Sequence, residues 1–155
     1  MGHIRETVSV HAPIERVWEL VTDYARLPEW QTNLIEVKDF EGVPGEVGFA
    51  YRAVYKALGR RIEGRFEIAK VERPRFLEEK GEMPGTGEAT TTTVLESTPD
   101  GGTACTFTMD YEMGAGFLAG LADRILFERA IERDIRHSNE NLKALVEAGV
   151  LVKTG

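Results

Sequence analysis

The sequence predicts an α+β fold in which a curved, seven-stranded antiparallel sheet wraps around one long C-terminal helix, with two short helices after the first strand. Three observations carry that expectation. Apolar residues alternate with period two over the middle of the chain, from Leu34 to Met113. A stripe of 3.6-residue period runs from about Leu118 to Ala148. Between the first strand and the rest of the sheet, Val8–Trp30 carries the punctuation of two compact helical segments.

In chain order, Thr7 to Val10 alternate as a strand, with Val8 and Val10 on one face. Pro13 falls where the first turn of a helix tolerates it, because an N–H there has no partner anyway. Ile14, Val17, Trp18 and Val21 recur at i, i+3, i+4 and i+7, one face of a helix. Asp23 suits the N-cap of the next helical turn, and Pro28 makes its continuation costly before Trp30. Six further strands follow at about 33–40, 46–57, 60–72, 75–83, 87–98 and 103–113. V-P-G, A-L-G-R, R-P-R, M-P-G-T-G and P-D-G-G punctuate them, and such short connections imply antiparallel pairing. Gly48, Gly64, Gly81 and Gly87 lie within the strand patterns and permit bends, so the sheet is expected to curve. Gly114-Ala115-Gly116 then breaks the pattern. Leu121, Ile125, Ile135, Leu142 and Leu145 mark the apolar stripe of the last helix, and Gly149 is its expected stop. No repeat or linker divides the 155 residues, so one domain is expected over 1–155.

Composition narrows the function. The chain is 42% hydrophobic and 29% charged, ordinary for a globular domain. A net charge of −7 argues against nonspecific binding to nucleic acid or anionic membrane. Cys105 is the sole cysteine, which removes disulfides and cysteine-cluster metal sites, and it reads as a small core residue. No H-E-x-x-H and no His cluster appears; His3, His11 and His137 are scattered. No metal and no cofactor is expected. The N-terminus shows no signal-peptide pattern, and no apolar run approaches a membrane span of about 20 residues, so the cytoplasm is the expected compartment.

The strand faces differ. Val47, Phe49, Tyr51, Ala53 and Tyr55 share one face of the 46–57 strand. Ile62, Gly64, Phe66 and Ile68 share one face of the next, opposite Arg61, Glu63, Arg65 and Glu67. Cys105, Phe107, Met109, Tyr111 and Met113 share a face of the last strand. This inner surface either packs solidly against the terminal helix or lines an apolar pocket. In a pocket, Tyr51, Tyr55, Tyr111, Thr91 and Thr93 would orient a ligand. Glu79 shares a face with Leu77, Gly81 and Met83, so it points inward unless a bulge shifts the register. Glu128 and Glu132 lie near the centre of the helical stripe. They form either a solvated flank paired with Arg124 and Arg136 at i, i+4 spacing, or a polar contact into the pocket.

The segment Val8-x-Val10-x-Ala12-Pro13, continued by Val17-Trp18, Leu20, Asp23-Tyr24, Leu27-Pro28 and Trp30, resembles the START-like (SRPBCC) superfamily. The resemblance is to its polyketide cyclase/dehydrase group of small bacterial helix-grip proteins. Pro99 to Thr103 and Asn141-Leu142-Lys143 extend the likeness over nearly the whole chain. It implies a hydrophobic cavity between sheet and helix, in a family whose members bind lipids, sterols or quinones, cyclise polyketides, or regulate partner proteins. It supplies no universal catalytic residue.

Three functions follow as expectations. The first is binding or carriage of a hydrophobic small molecule, with Trp30, Phe49, Tyr51, Tyr55, Phe66, Thr91, Thr93, Phe107, Met109, Tyr111, Ile125 and Glu128 lining the cavity. The second is a cyclase, aromatase or dehydratase drawing acid–base groups from Glu79, Arg124 and Glu128. The third is regulation through a protein partner, for which Leu126 and Phe127, off the stripe, are the candidates, as they are for a homodimer.

Overall fold

The computed structural model describes residues 2–57, 59–83, 87–112 and 124–154. Strand β1 (Gly2–Val10) leads into helix α1 (Ile14–Val21) and a 3-10 segment (Tyr24–Glu29). Strands β2 (Leu34–Glu41), β3 (Ala50–Ala57), β4 (Arg60–Glu72), β5 (Phe76–Met83), β6 (Gly87–Ser97) and β7 (Thr103–Tyr111) follow, then helix α2 (Arg124–Thr154). The sheet order is β1-β7-β6-β5-β4-β3-β2 with every neighbouring pair antiparallel. β1 and β2 are therefore opposite edges, and α1 with the 3-10 segment carries the chain from one edge to the other.

Local chemistry explains the elements. The Pro13 carbonyl accepts the Arg16 and Val17 amides at 3.0 and 3.4 Å, and the Thr22 hydroxyl donates to the Trp18 carbonyl where α1 ends. Pro13 is extended and precedes the helix instead of lying within it. The second short helix is a 3-10 segment containing Pro28, and Asp23 makes no side-chain cap bond. Pro28 has no N–H to donate to Ala25 within the segment, and the bonds from Arg26 to Asp23 and from Trp30 to Leu27, at 3.0 and 3.2 Å, are made on either side of it.

Three boundaries differ from the sequence reading. β1 begins at Gly2, not near Thr7. β3 begins at Ala50: Gly45 and Gly48 hold φ of +83° and +93°, the chain turns, and Val47 is 63% exposed instead of facing inward. Phe49 remains buried because Gly48 and Phe49 still bond Ile68 of β4, both at 2.9 Å. At the other end of the chain, α2 runs through Gly149, which is thus not a stop. The Gly114–Gly116 break, Leu121 and the expected helix start at Leu118 lie outside the described residues, as do the side chains of Met83, Ile125 and Phe127.

The solvated face of the sheet is where the charges predict it, with Lys38–Glu63, Arg65–Glu41 and Arg65–Glu67 pairs at 3.1 to 3.5 Å. On the inner face, Val17, Trp18, Leu20 and Val21 of α1, with Tyr24 and Leu27, pack on Phe49, Ile68, Leu77, Leu95 and Cys105. Leu142 and Val146 of α2 complete that core. Burial pushes the Cys105 thiol up to about 12, as fits a core residue. Among the described residues, no helix is long and apolar enough to cross a membrane.

Two sets of polar contacts fasten α2 across the sheet. Toward edge strand β1, Asn139 and Lys143 donate to the carbonyls of Glu6 and Ser9 at 3.3 and 2.8 Å, and Arg136 meets the Glu6 carboxylate at 3.3 Å. The Arg136 guanidinium is thus on Glu6, not on Glu132 one turn earlier. Toward the loop before β2, Ser138 accepts the Thr32 amide at 2.8 Å. Asn33 donates to Asp134 at 2.8 Å, and Asn141 to the Trp30 carbonyl at 3.2 Å.

Candidate functional site

A cavity of about 220 Å³ lies between the inner face of the sheet and the first half of α2. Tyr51, Tyr55, Ile62, Phe66, Glu79, Ala89, Thr91, Phe107, Met109 and Tyr111 form its sheet wall. Ile131, Asp134, Ile135, Ser138 and Asn139 form its helix wall, and Trp30 to Asn33 close one side. Phe107 and Met109 are only half-buried although they share a face with fully buried Cys105, because the space opposite them is empty.

The aromatic wall is built on a glycine. A Cβ at Gly81 would stand 2.5 Å from Cε1 of Phe66, so the absence of one lets the Phe66 ring lie flat across β5. That ring stacks on Tyr51 (centroids 5.7 Å apart) and meets Tyr55 edge-on (6.2 Å).

Glu79 is the acid of this wall. A bulge does occur beside it, but the extra residue is on β4, between Ile68 and Lys70. β5 keeps its alternation, so Leu77, Glu79 and Gly81 all face inward. The Tyr51 hydroxyl donates to Glu79 Oε1 at 3.0 Å. Burial pushes the Glu79 carboxyl up to about 7, against the downward pull of that hydrogen bond. Burial and then the Glu79 charge raise the phenols of Tyr51, Tyr55 and Tyr24, so these hydroxyls stay protonated donors. Tyr55 donates to Gln31 Oε1 at 3.0 Å. A carboxyl that changes charge near neutral pH, held by a phenol in an apolar chamber, can anchor a polar ligand group or exchange a proton with it.

The chain matches the family model described as polyketide cyclase/dehydrase and lipid transport over residues 1–147. It belongs to that family. Membership places its role in ligand binding or polyketide cyclisation. Among solved structures, it resembles the Zhui aromatase/cyclase from Streptomyces sp. R1128 at 19% identity and a TM-score of 0.82, over 96% of this chain and 95% of that one. It also resembles TTHA0849 from Thermus thermophilus at 19% identity and a TM-score of 0.81, over 96% and 99%. At these identities the likeness is one of fold: the seven-stranded sheet gripping a long terminal helix. No functionally curated protein matches the chain.

Of the twelve residues expected to line a cavity, the structure brings eight to one: Trp30, Tyr51, Tyr55, Phe66, Thr91, Phe107, Met109 and Tyr111. Phe49 and Thr93 are not on its wall. Phe49 is 1% exposed in the packed core against Tyr24, with ring centroids 4.6 Å apart. Thr93 is buried between its ladder partners Leu77 and Phe107. Glu128 and Glu132 are half-buried on α2 and are not among the described lining residues. The side chains of Ile125 and Arg124 lie outside the described residues. Glu79 lines the cavity, and Glu128 is not among its described lining residues. The exposed candidate for a partner surface, Leu126, is 61% exposed.

The sequence reading placed Ile135 on the apolar stripe but did not name it, Ile131, Asp134, Ser138 or the loop residues after Trp30 as lining. Ile131, Asp134, Ile135 and Ser138 stand at i, i+3, i+4 and i+7, so helical spacing could have found them. Gln31, Thr32 and Asn33 have no periodicity to reveal them; they reach the site because Ser138, Asp134 and Tyr55 bind the loop.

Proposed function

We propose that this protein binds a hydrophobic small molecule in the cavity between its sheet and α2. The observation that carries the reading is the half-buried state of inward-facing Tyr55, Thr91, Phe107 and Met109 around 220 Å³ of space. A folded core fills such space unless something else is to occupy it. Thr91 and the Glu79–Tyr51 pair offer a bound molecule hydrogen bonds, and the rings offer contact area.

Isothermal titration with 2-naphthol, a neutral two-ring probe, tests this. Saturable one-to-one binding is expected, abolished when Met109→Trp fills the chamber. No heat of binding, or binding that Met109→Trp leaves unchanged, would count against the proposal.

A second reading, a cyclase or dehydratase acting on a bound carbonyl compound, is favoured by one specific feature. Glu79, near its midpoint at neutral pH, could take a proton from a carbon beside the carbonyl and return it to a leaving hydroxyl. Turnover that disappears in Glu79→Gln while 2-naphthol binding persists would support it. Turnover retained in that variant would exclude Glu79 as the proton carrier.

A further inference from the structure

Charge distribution around the cavity says more about its occupant than its apolar surface does. The charged residues among its described lining are Glu79, Glu88, Glu112, Asp134 and Lys56. Four are acids and one is a base. Glu88, Glu112 and Lys56 are exposed at the rim, and Asp134 is held by Asn33, with Arg133 3.9 Å away. Glu79 differs from them, because the group that holds it is a phenol, Tyr51. A phenol hydroxyl donates to a carboxylate and favours its ionised form, but it brings no charge. The walls beside this carboxyl are the faces and edges of Tyr51, Tyr55 and Phe66, with Phe107 further along the sheet. Aromatic faces attract cations and are indifferent or repulsive to anions. The net charge of −7 adds a field of the same sign.

We infer that the cavity takes a compact hydrophobic cation, a one- or two-ring amine in its ammonium form, with Glu79 as its counter-ion and the aromatic wall as its cage. The inference rests on the reading of the cavity as a ligand site and narrows it. Size sets the upper limit: an apolar cavity of about 150 Å³ accommodates benzene, so 220 Å³ suits one or two rings and not a long acyl chain. Charge sets the preference. A carboxylate ligand would meet Glu79 with no described base beside it, whereas an ammonium completes the ion pair that Tyr51 already prepares. The attraction of the ammonium offsets part of the cost of ionising Glu79 away from water, and the aromatic faces offset part of the ammonium's own lost hydration.

The test uses three ligands with one ring system: 2-(aminomethyl)naphthalene, 2-naphthalenemethanol and 2-naphthoate, titrated calorimetrically at pH 7.5. The amine should bind at least about tenfold more tightly than the alcohol, and the carboxylate more weakly than either. In Glu79→Gln, which keeps an oxygen for Tyr51, the amine's affinity should fall to that of the alcohol measured on the same variant. Equal or tighter binding of the alcohol or the carboxylate to the native protein overturns this inference and leaves the ligand-binding reading standing. Failure of all three, with 2-naphthol also silent, overturns both.

Discussion

The same inward-facing alternation of β6, β7 and β3, with Phe49 just before β3, has two outcomes along its length. At one end Phe49, Leu95 and Cys105 are each 1% exposed beneath α1, the 3-10 segment and the second half of α2. At the other end Tyr55, Thr91, Phe107 and Met109 are half-buried around empty space. The strands do not decide between these outcomes; what stands opposite them does. Trp18, Leu20, Leu27, Leu142 and Val146 fill the packed end. Across the hollow end α2 presents Ile131, Asp134, Ile135 and Ser138, two of them short polar residues engaged with the loop before β2. Close packing is therefore concentrated at one end and open volume at the other, with Glu79 at the junction beside buried Leu77.

The contrast is sharpest in truncation. Phe49→Ala should cost about 3–5 kcal/mol in denaturant unfolding, because it opens a void in a close-packed core. Phe107→Ala should cost about 1 kcal/mol or less, because that ring already borders a void and its loss removes fewer contacts. Equal costs would mean that the two ends are packed alike.

Next in size is the effect of pH. The Glu79 carboxyl has a folded-state pKa near 7, raised from 4.5 by burial. The folded state therefore holds its proton more tightly than the unfolded chain does. Its contribution to stability is full below about pH 4.5 and is lost as pH rises through 7, a change of about 2–3 kcal/mol. Unfolding free energies of the native protein and Glu79→Gln, compared at pH 5 and pH 8, should diverge by that amount, with the variant the relatively more stable at pH 8. A constant difference between them would place Glu79 in contact with bulk water.

Gly81→Ala should cost about 1–3 kcal/mol, because the new Cβ displaces the Phe66 ring. It should also weaken 2-naphthol binding, since that ring is part of the wall. Ser138→Ala is the mildest change. It removes the acceptor of the Thr32 amide and should cost about 1 kcal/mol. Its effect should be on binding more than on folding, because the loop it releases closes the hollow end.

Much of this was legible in the sequence, and the reason is local. Period two, period 3.6 and the Pro, Gly and Asp punctuation act within a few residues, so all seven strands and the body of α1 could be located, although not every boundary. Val47 misled because its alternation continues into a glycine turn. Gly149 misled because a glycine near a helix end stops the helix only where the chain takes up a left-handed turn. The site was legible only where alternation made it so. Tyr51, Tyr55, Phe107 and Met109 follow from facing inward, but Phe49 and Thr93 face inward too. Which of them meets a partner depends on the depth at which α1 and α2 cross the sheet, a long-range property. Glu79 turned on the position of one bulge residue, which fell on β4 and left β5 in phase.

Carbon-13 NMR titration of the glutamate side-chain carboxyls, with Glu79 identified by its absence in Glu79→Gln, tests the central claim most directly. A midpoint near 7 is expected for Glu79 in the free protein, falling when 2-(aminomethyl)naphthalene is bound. A midpoint near 4.5, unchanged by the amine, would contradict a desolvated carboxyl set in an aromatic cavity.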